Sequence, residues 1–263
     1  MQVSAVLIAV LAFFAYLAAY FTYGRRLASR LLGFDAERIT PARAKEDGVD
    51  YVPSRKWVLF GHHFATIAGL GPILGPAIAV IWGWLPALLW VPFGSIFMGA
   101  VHDLTALYIS LRNEGRSIGD ITGKLLGPRG RTLFLLLIFF LLSLAMGAFA
   151  HVIAILFGSA FYPEAVFPVW ALIGIAVLIG LSVYRGKAPL TPVTLVGVAL
   201  LLAATWWGAG HPVVSLPLLG ELHLEHWVWI LMGYALVASI LPVWLLLQPR
   251  DYLNSFQLYI GMG

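Results

Sequence analysis

Two short stretches carry side chains that could do chemistry in an otherwise apolar chain. GHHFATIAGLGPILGP, residues 61–76, holds two histidines, four glycines and two prolines. MGAVHDLT, residues 98–105, places His102 beside Asp103. Imidazole changes charge near neutral pH, and a desolvated carboxylate titrates upward, so Asp103 with His102 or with the His62–His63 pair can hold and trade a proton. The same groups can instead form a static hydrogen-bond clamp between helices. Three or four nitrogen and oxygen ligands could also hold a metal. The spacing does not demand one: there is no HExxH, and no two histidines stand four apart on one face of these segments. Glu221, His223, Glu225 and His226 in ELHLEH alternate, as an amphipathic loop at headgroup level would. No P-loop, nucleophile elbow or basic-aromatic nucleic-acid face is present, so ATP-driven, enzymatic and nucleic-acid readings have no residues to carry them. No metal or other cofactor is expected.

The elements that must position these groups are membrane helices. Of 263 residues 61% are hydrophobic and 11% charged, against about 45–50% and 25% in an ordinary soluble domain. There is no cysteine, hence no disulfide framework or thiolate site. Apolar runs near the roughly 20 residues that cross a bilayer fall at 3–23, 58–82, 85–111, 131–158, 166–184, 190–208 and 226–248. That predicts an all-α integral membrane protein of about seven transmembrane helices.

Charge supports the count independently. All sixteen lysines and arginines lie in residues 24–57, 112–131, 185–187 and at Arg250. The alternate loops, around Gly83, from Ser159 to Ala165 and from Gly210 to Glu225, have none. By the positive-inside rule the basic loops are cytoplasmic, the N-terminus is outside and the C-terminus is at the cytoplasmic face. Met1 to Ser4 has no basic n-region, so residues 1–23 are expected to be an anchor helix rather than a cleaved signal. Residues 24–57 read as a cytoplasmic connector contacting lipid headgroups.

With spans placed, His62 and His63 lie about a turn and a half inside the second one, and Gly69, Gly71, Pro72, Gly75 and Pro76 near mid-depth. Proline removes a donor and glycine loosens a helix, so a break is expected between Gly69 and Pro76. In hydrocarbon such a break survives only where it is buried in protein or lines a water-filled cavity. Broken midplane helices are how many secondary transporters present backbone groups to substrate. His62, His63, Thr66, Gly69 and Gly71 are therefore the candidate substrate-binding residues. The competing reading is a tight helix crossing, for which Ala65/Gly69 and Gly71/Gly75 have small-xxx-small spacing. Asp103 is the sole acid within any of these spans. It stands about 13 Å from the cytoplasmic Arg112 at 1.5 Å per residue, too deep to snorkel. A carboxylate costs about 2.5–3.5 kcal/mol at the centre of a membrane helix, so it should face the bundle and have a partner. Asp103 and His102 are the candidate proton-coupling residues.

The runs GHHFATIAGLGPILGPAIAVIWGWLPALLW, GSIFMGAVHDLTALYISLRNEGRSIGDI and LLLQPRDYLNSF, in that order, closely resemble the carbon starvation protein A (CstA) family of bacterial inner-membrane proteins. The resemblance implies proton-coupled uptake of small peptides or pyruvate when preferred carbon runs out. It also implies relation to transporters with a five-plus-five inverted repeat, in which residues 58–208 would form the first repeat of five helices and 209–263 the start of the second. Thr66 and Leu70 depart from the smaller serine and alanine of the family's broken segment, which narrows any cavity there. Family members run well beyond this length, so a second chain or a further C-terminal half is expected to complete the transporter. The alternative is a membrane receptor or regulatory subunit that binds such a nutrient without moving it.

Overall fold

A computed structural model describes residues 4–217 and 220–262. The elements in chain order are α1 (Ala5–Ala19), α2 (Pro41–Ala44), α3 (Lys56–Ile67), α4 (Leu70–Ala79), α5 (Trp84–Gly94), α6 (Ala100–Arg112), α7 (Ile118–Phe157), α8 (Val166–Gly180) and α9 (Leu190–Ala209), followed by a two-stranded hairpin β1 (Ser215–Leu216) and β2 (Gly220–Glu221), then α10 (Leu224–Ile240) and α11 (Leu247–Met262). Among the described residues six helices are long and apolar enough to cross a bilayer: Ala5–Leu31, Lys56–Trp82, Trp84–Arg112, Ile118–Phe157, Pro163–Arg185 and Leu190–Ala209. The protein is an all-α multi-pass membrane protein. Phe139, Phe140, Leu141 and Leu144 of α7 point outward, as lipid-facing side chains do.

The expected seventh span is an apolar helix shorter than these six. α10 has 17 residues and stops at Ile240. Pro242 is the reason: the residue before a proline is driven out of helical geometry, and Leu241 is extended at φ −74°, ψ 144°.

The second span is broken, as the glycines and prolines predict, at the N-terminal edge of the expected interval. α3 ends at Ile67, the following Ala68 turns out of the helix at ψ 36°, and α4 restarts at Leu70. Pro72 is the third residue of α4, where no intrahelical donor is needed, and Pro76 alone interrupts the ladder inside it. α7 bends where Gly127 takes φ 78° before Pro128. That bend folds residues 118–126 back along the span, with Arg131 Nη2 2.8 Å from Asp120 Oδ1.

The chain forms two compact units, residues 1–46 with 71–136, and 47–70 with 137–263. In the first, Lys45 Nζ pairs with Glu114 Oε2 at 2.7 Å and Arg112 Nη2 donates to Gly33 O at 3.3 Å. These contacts tie the connector to the loop after α6. The second holds the main core, with Leu172, Ile179, Leu201 and Leu253 in one cluster. Ala154, Phe157, Val166, Leu222 and Trp227 form another. The ELHLEH alternation is structural here: Leu222 is buried, and His226 Nδ1 accepts from the His223 backbone N–H at 3.1 Å to cap α10.

Candidate functional site

The site is built where α11 lies along α3. Val58, Gly61 and Ala65 are the buried face of α3. Gly61 is the point of closest approach, since a Cβ there would stand 2.8 Å from Tyr252 Cδ2 and 3.2 Å from Tyr252 Cα. Tyr252 is held in turn by the Thr194 hydroxyl of α9, which donates to its OH at 3.2 Å. The small-residue crossing is thus at Gly61 and Ala65. At Gly71 and Gly75 nothing lies within 4 Å of an added Cβ, so this pair makes no such crossing among the described residues.

Because Gly61 lets the helices approach, the neighbouring His62 meets α11. Its Nδ1 lies 2.9 Å from Asp251 Oδ2. The approach is close but off the line of the ring N–H, so that buried nitrogen has no well-aligned hydrogen-bond partner among the described residues. Thr66 donates to the His62 carbonyl at 2.7 Å and reaches the same Oδ2 at 3.4 Å. The other carboxylate oxygen takes the Nε–Nη2 edge of Arg250 at 2.9 and 2.7 Å. Arg250 Nη1 donates to the Tyr234 hydroxyl of α10 at 2.7 Å. Adjacent helical residues do not normally face each other; the long arginine stem curls back to make this fork. The Asp251 side chain is 9% exposed, while Arg250 and His62 keep 30% and 28%. One turn earlier on α11, Gln248 Oε1 accepts from Tyr184 OH at 2.8 Å and Ser54 Oγ at 3.0 Å. A line of polar groups therefore runs along the α3–α11 seam up to the helix break. Charges so buried are tolerated because they are paired: removing one partner typically costs about 3–5 kcal/mol.

The other expected residues fall as follows. His63 is on the exposed side of α3. Gly69 ends the break, and Gly71 is the second residue of α4, in the other compact unit. Asp103 has its neighbour His102 as partner, Nδ1 to Oδ1 at 3.0 Å, with side chains 38% and 81% exposed. His62 and His63 belong to the unit that does not contain Asp103. Among the described residues no group of three or more His, Cys, Asp or Glu is placed to hold a metal. A groove of about 800 Å³ in the first unit, lined by Tyr16, Tyr20, Phe34, Val101 and Leu104 among others, is largely aromatic and aliphatic. It is a poor place for a polar solute.

Sequence reasoning missed Asp251 and Arg250. The signal was present, an adjacent acid and base in LLLQPRDYLNSF directly after an apolar run. Read linearly, it marks the cytoplasmic end of a span.

The model of the carbon starvation protein CstA family matches residues 4–263. The chain belongs to the CstA family. It is 37% identical over 257 residues to the peptide transporter CstA of Escherichia coli K12, covering 97% of this chain and 36% of that protein. The peptide transporter CstA of Bacillus subtilis 168 is 38% identical, over 90% of this chain and 39% of its own length. The pyruvate/proton symporter BtsT of Escherichia coli K12 is 35% identical, over 99% and 36%. The chain thus spans a little over a third of the length of these curated relatives. No solved structure matches it. In this CstA-family chain the buried Arg250–Asp251 pair lies within one of the three runs that carry the resemblance.

Proposed function

We propose that the chain is part of a secondary active transporter of the bacterial inner membrane that takes up small peptides or pyruvate with protons, serving growth when preferred carbon is short. The observation that carries the reading is the interruption of an apolar span at Ala68–Gly69, one turn beyond the His62, Thr66 and Asp251 cluster. Unpaired backbone groups in hydrocarbon cost several kcal/mol, and a transport path gives them something to bind. The relatives' names, peptide transporter and pyruvate/proton symporter, supply the substrate and coupling classes. His62, His63, Thr66, Gly69 and Gly71 bind substrate in this reading, and the Asp103–His102 pair carries the coupling proton. The basic loops are cytoplasmic and the N-terminus outside. Residues 58–208 serve as the first repeat of five helices and 209–263 open the second, a further segment or chain completing it.

The test is uptake of labelled pyruvate and of dialanine into proteoliposomes by the longest natural form of the chain, with and without an inward pH gradient. Accumulation above the external concentration, abolished by a protonophore, is expected. Saturable binding with no counterflow in either direction would support a receptor instead and end the transport reading.

A further inference from the structure

Arg250, Asp251 and His62 together form a two-base, one-acid cluster whose charge depends on a single histidine. With His62 neutral the cluster sums to zero: Arg250 is matched by Asp251. With His62 protonated it carries one positive charge in a largely buried seam, and that charge calls for an anion. Peptides and pyruvate differ in almost everything except a carboxylate. We propose, resting on the transport reading above, that this cluster is the receptor for the substrate carboxylate, and that a proton on His62 and the carboxylate on Arg250 bind cooperatively; this is a binding proton, separate from the coupling proton assigned to the Asp103–His102 pair.

The geometry supplies the parts. The planar fork of Arg250 matches a carboxylate edge to edge, and Asp251 now occupies that edge with Oδ1. Oδ2 already lies 2.9 Å from His62 Nδ1, which lacks an aligned partner. Protonated His62 draws Asp251 towards α3, and the substrate carboxylate takes the vacated Nε–Nη2 edge while Tyr234 keeps Nη1 in place. Arg250 and His62 retain about a third of their exposure, so a ligand can reach them. Within the seam the charged groups are Arg250, Asp251 and His62; Lys56 and His63 of α3 are exposed, and Arg185 after α8 lies over the Trp244 ring. α8 and α9, which also pack on α11, contain no titratable side chain between 166 and 180 or between 190 and 209. α3 offers His62 and the hydroxyl of Thr66, and α10 offers Tyr234. The segment after α8 brings Tyr184, which is engaged by Gln248 and Ser54, and α11 itself adds Tyr252, which is engaged by Thr194.

The experiment is calorimetric binding of dialanine, dialanine amide and pyruvate to the longest natural form of the chain in nanodiscs, between pH 5.5 and 8, in two buffers of different ionisation enthalpy. Dialanine and pyruvate should bind roughly 5–100-fold more tightly at the acid end, with net proton uptake on binding, and the amide should bind at least tenfold more weakly. H62Q should flatten the pH dependence, and R250Q should lose the preference for acid over amide, with R250K between. The ligand comparison needs no variant, so a folding defect in R250Q leaves the test intact. Equal affinity for acid and amide, no proton uptake, or no binding of any carboxylate at millimolar concentration would overturn the proposal. Carboxylate-selective, proton-linked binding without uptake would keep this site and end the transport reading. Uptake that ignores the carboxylate would do the reverse.

Discussion

Gly61→Leu should separate α3 from α11 and disable the polar seam. A Cβ at position 61 would sit 2.8 Å from Tyr252 Cδ2 and 3.2 Å from Tyr252 Cα, whereas carbon atoms rest at about 3.5–4.0 Å. Relieving that requires the helices to part by about 0.5–1 Å at the crossing. The ring cannot easily swing aside, because Tyr252 is buried and its hydroxyl is held by Thr194. Overpacking of this kind costs about 1–3 kcal/mol. Alanine in place of a helical glycine returns roughly 0.5–1 kcal/mol of backbone entropy, so Gly61→Ala should lose at most about 2.5 kcal/mol. Leucine brings three further carbons into the same space and should lose about 3 kcal/mol or more. The next residue is His62, so its 2.9 Å approach to Asp251 lengthens by a similar fraction of an ångström and proton-linked dialanine binding falls with stability. Thermal unfolding in detergent micelles reads the first effect and calorimetry the second. Gly75→Ala is the control: nothing among the described residues lies within 4 Å of the added carbon, and the variant should gain up to about 1 kcal/mol. Unchanged melting and binding for Gly61→Leu would refute the close crossing and the placement of His62 that depends on it.

Asp103→Asn should fold and insert normally but abolish gradient-driven uptake while sparing exchange at equal pH; undiminished accumulation would remove Asp103 as the proton carrier. These 263 residues contain no cysteine, so single cysteines introduced among them report topology cleanly: at Asp50 or Ser117 they should be shielded from an impermeant thiol reagent in intact cells, and at Ser159 or Ser215 they should react. Asp47→Ala should speed amide exchange at Val49, Asp50 and Tyr51, whose N–H groups donate to its carboxylate at 2.9, 2.9 and 2.8 Å. Those bonds, the Tyr51 one foremost, lower its pKa below the ordinary carboxylate value. The order they give the connector is therefore full above the unfolded-state pKa and lost as pH falls through the folded one; protection of these amides should disappear in acid, and protection independent of pH would contradict the turn.

How much of this was legible beforehand depended on whether the information was local. The spans are local, and hydropathy places most of their ends to within a few residues, although the first helical run continues to Leu31 and the fourth begins at Ile118. The break was legible from Gly69, Gly71, Pro72 and Pro76, but its position was not. Pro72 falls in the first turn of α4, where proline costs nothing, so the interruption settles at Ala68–Gly69. The last span looked long because hydropathy runs through Leu241 and Val243, yet Pro242 ends α10 early. Asp103 stood out because a lone acid in an apolar run is conspicuous. Asp251 did not, because its burial arises only when α11 docks on Gly61 and Ala65. That contact joins residues nearly two hundred positions apart, and no window of sequence contains it.

The central claim is that the broken segment beside His62 and Asp251 lines a path that water and substrate share. It is tested most directly by a cysteine at Thr66, whose hydroxyl lies 3.4 Å from Asp251, in the chain that has no other. Reaction of T66C with a small, membrane-impermeant thiol reagent in inside-out vesicles, slowed severalfold by dialanine or pyruvate but not by dialanine amide, is the predicted result. A thiol that reacts only after denaturation, or at the same rate with and without these carboxylates, would contradict it.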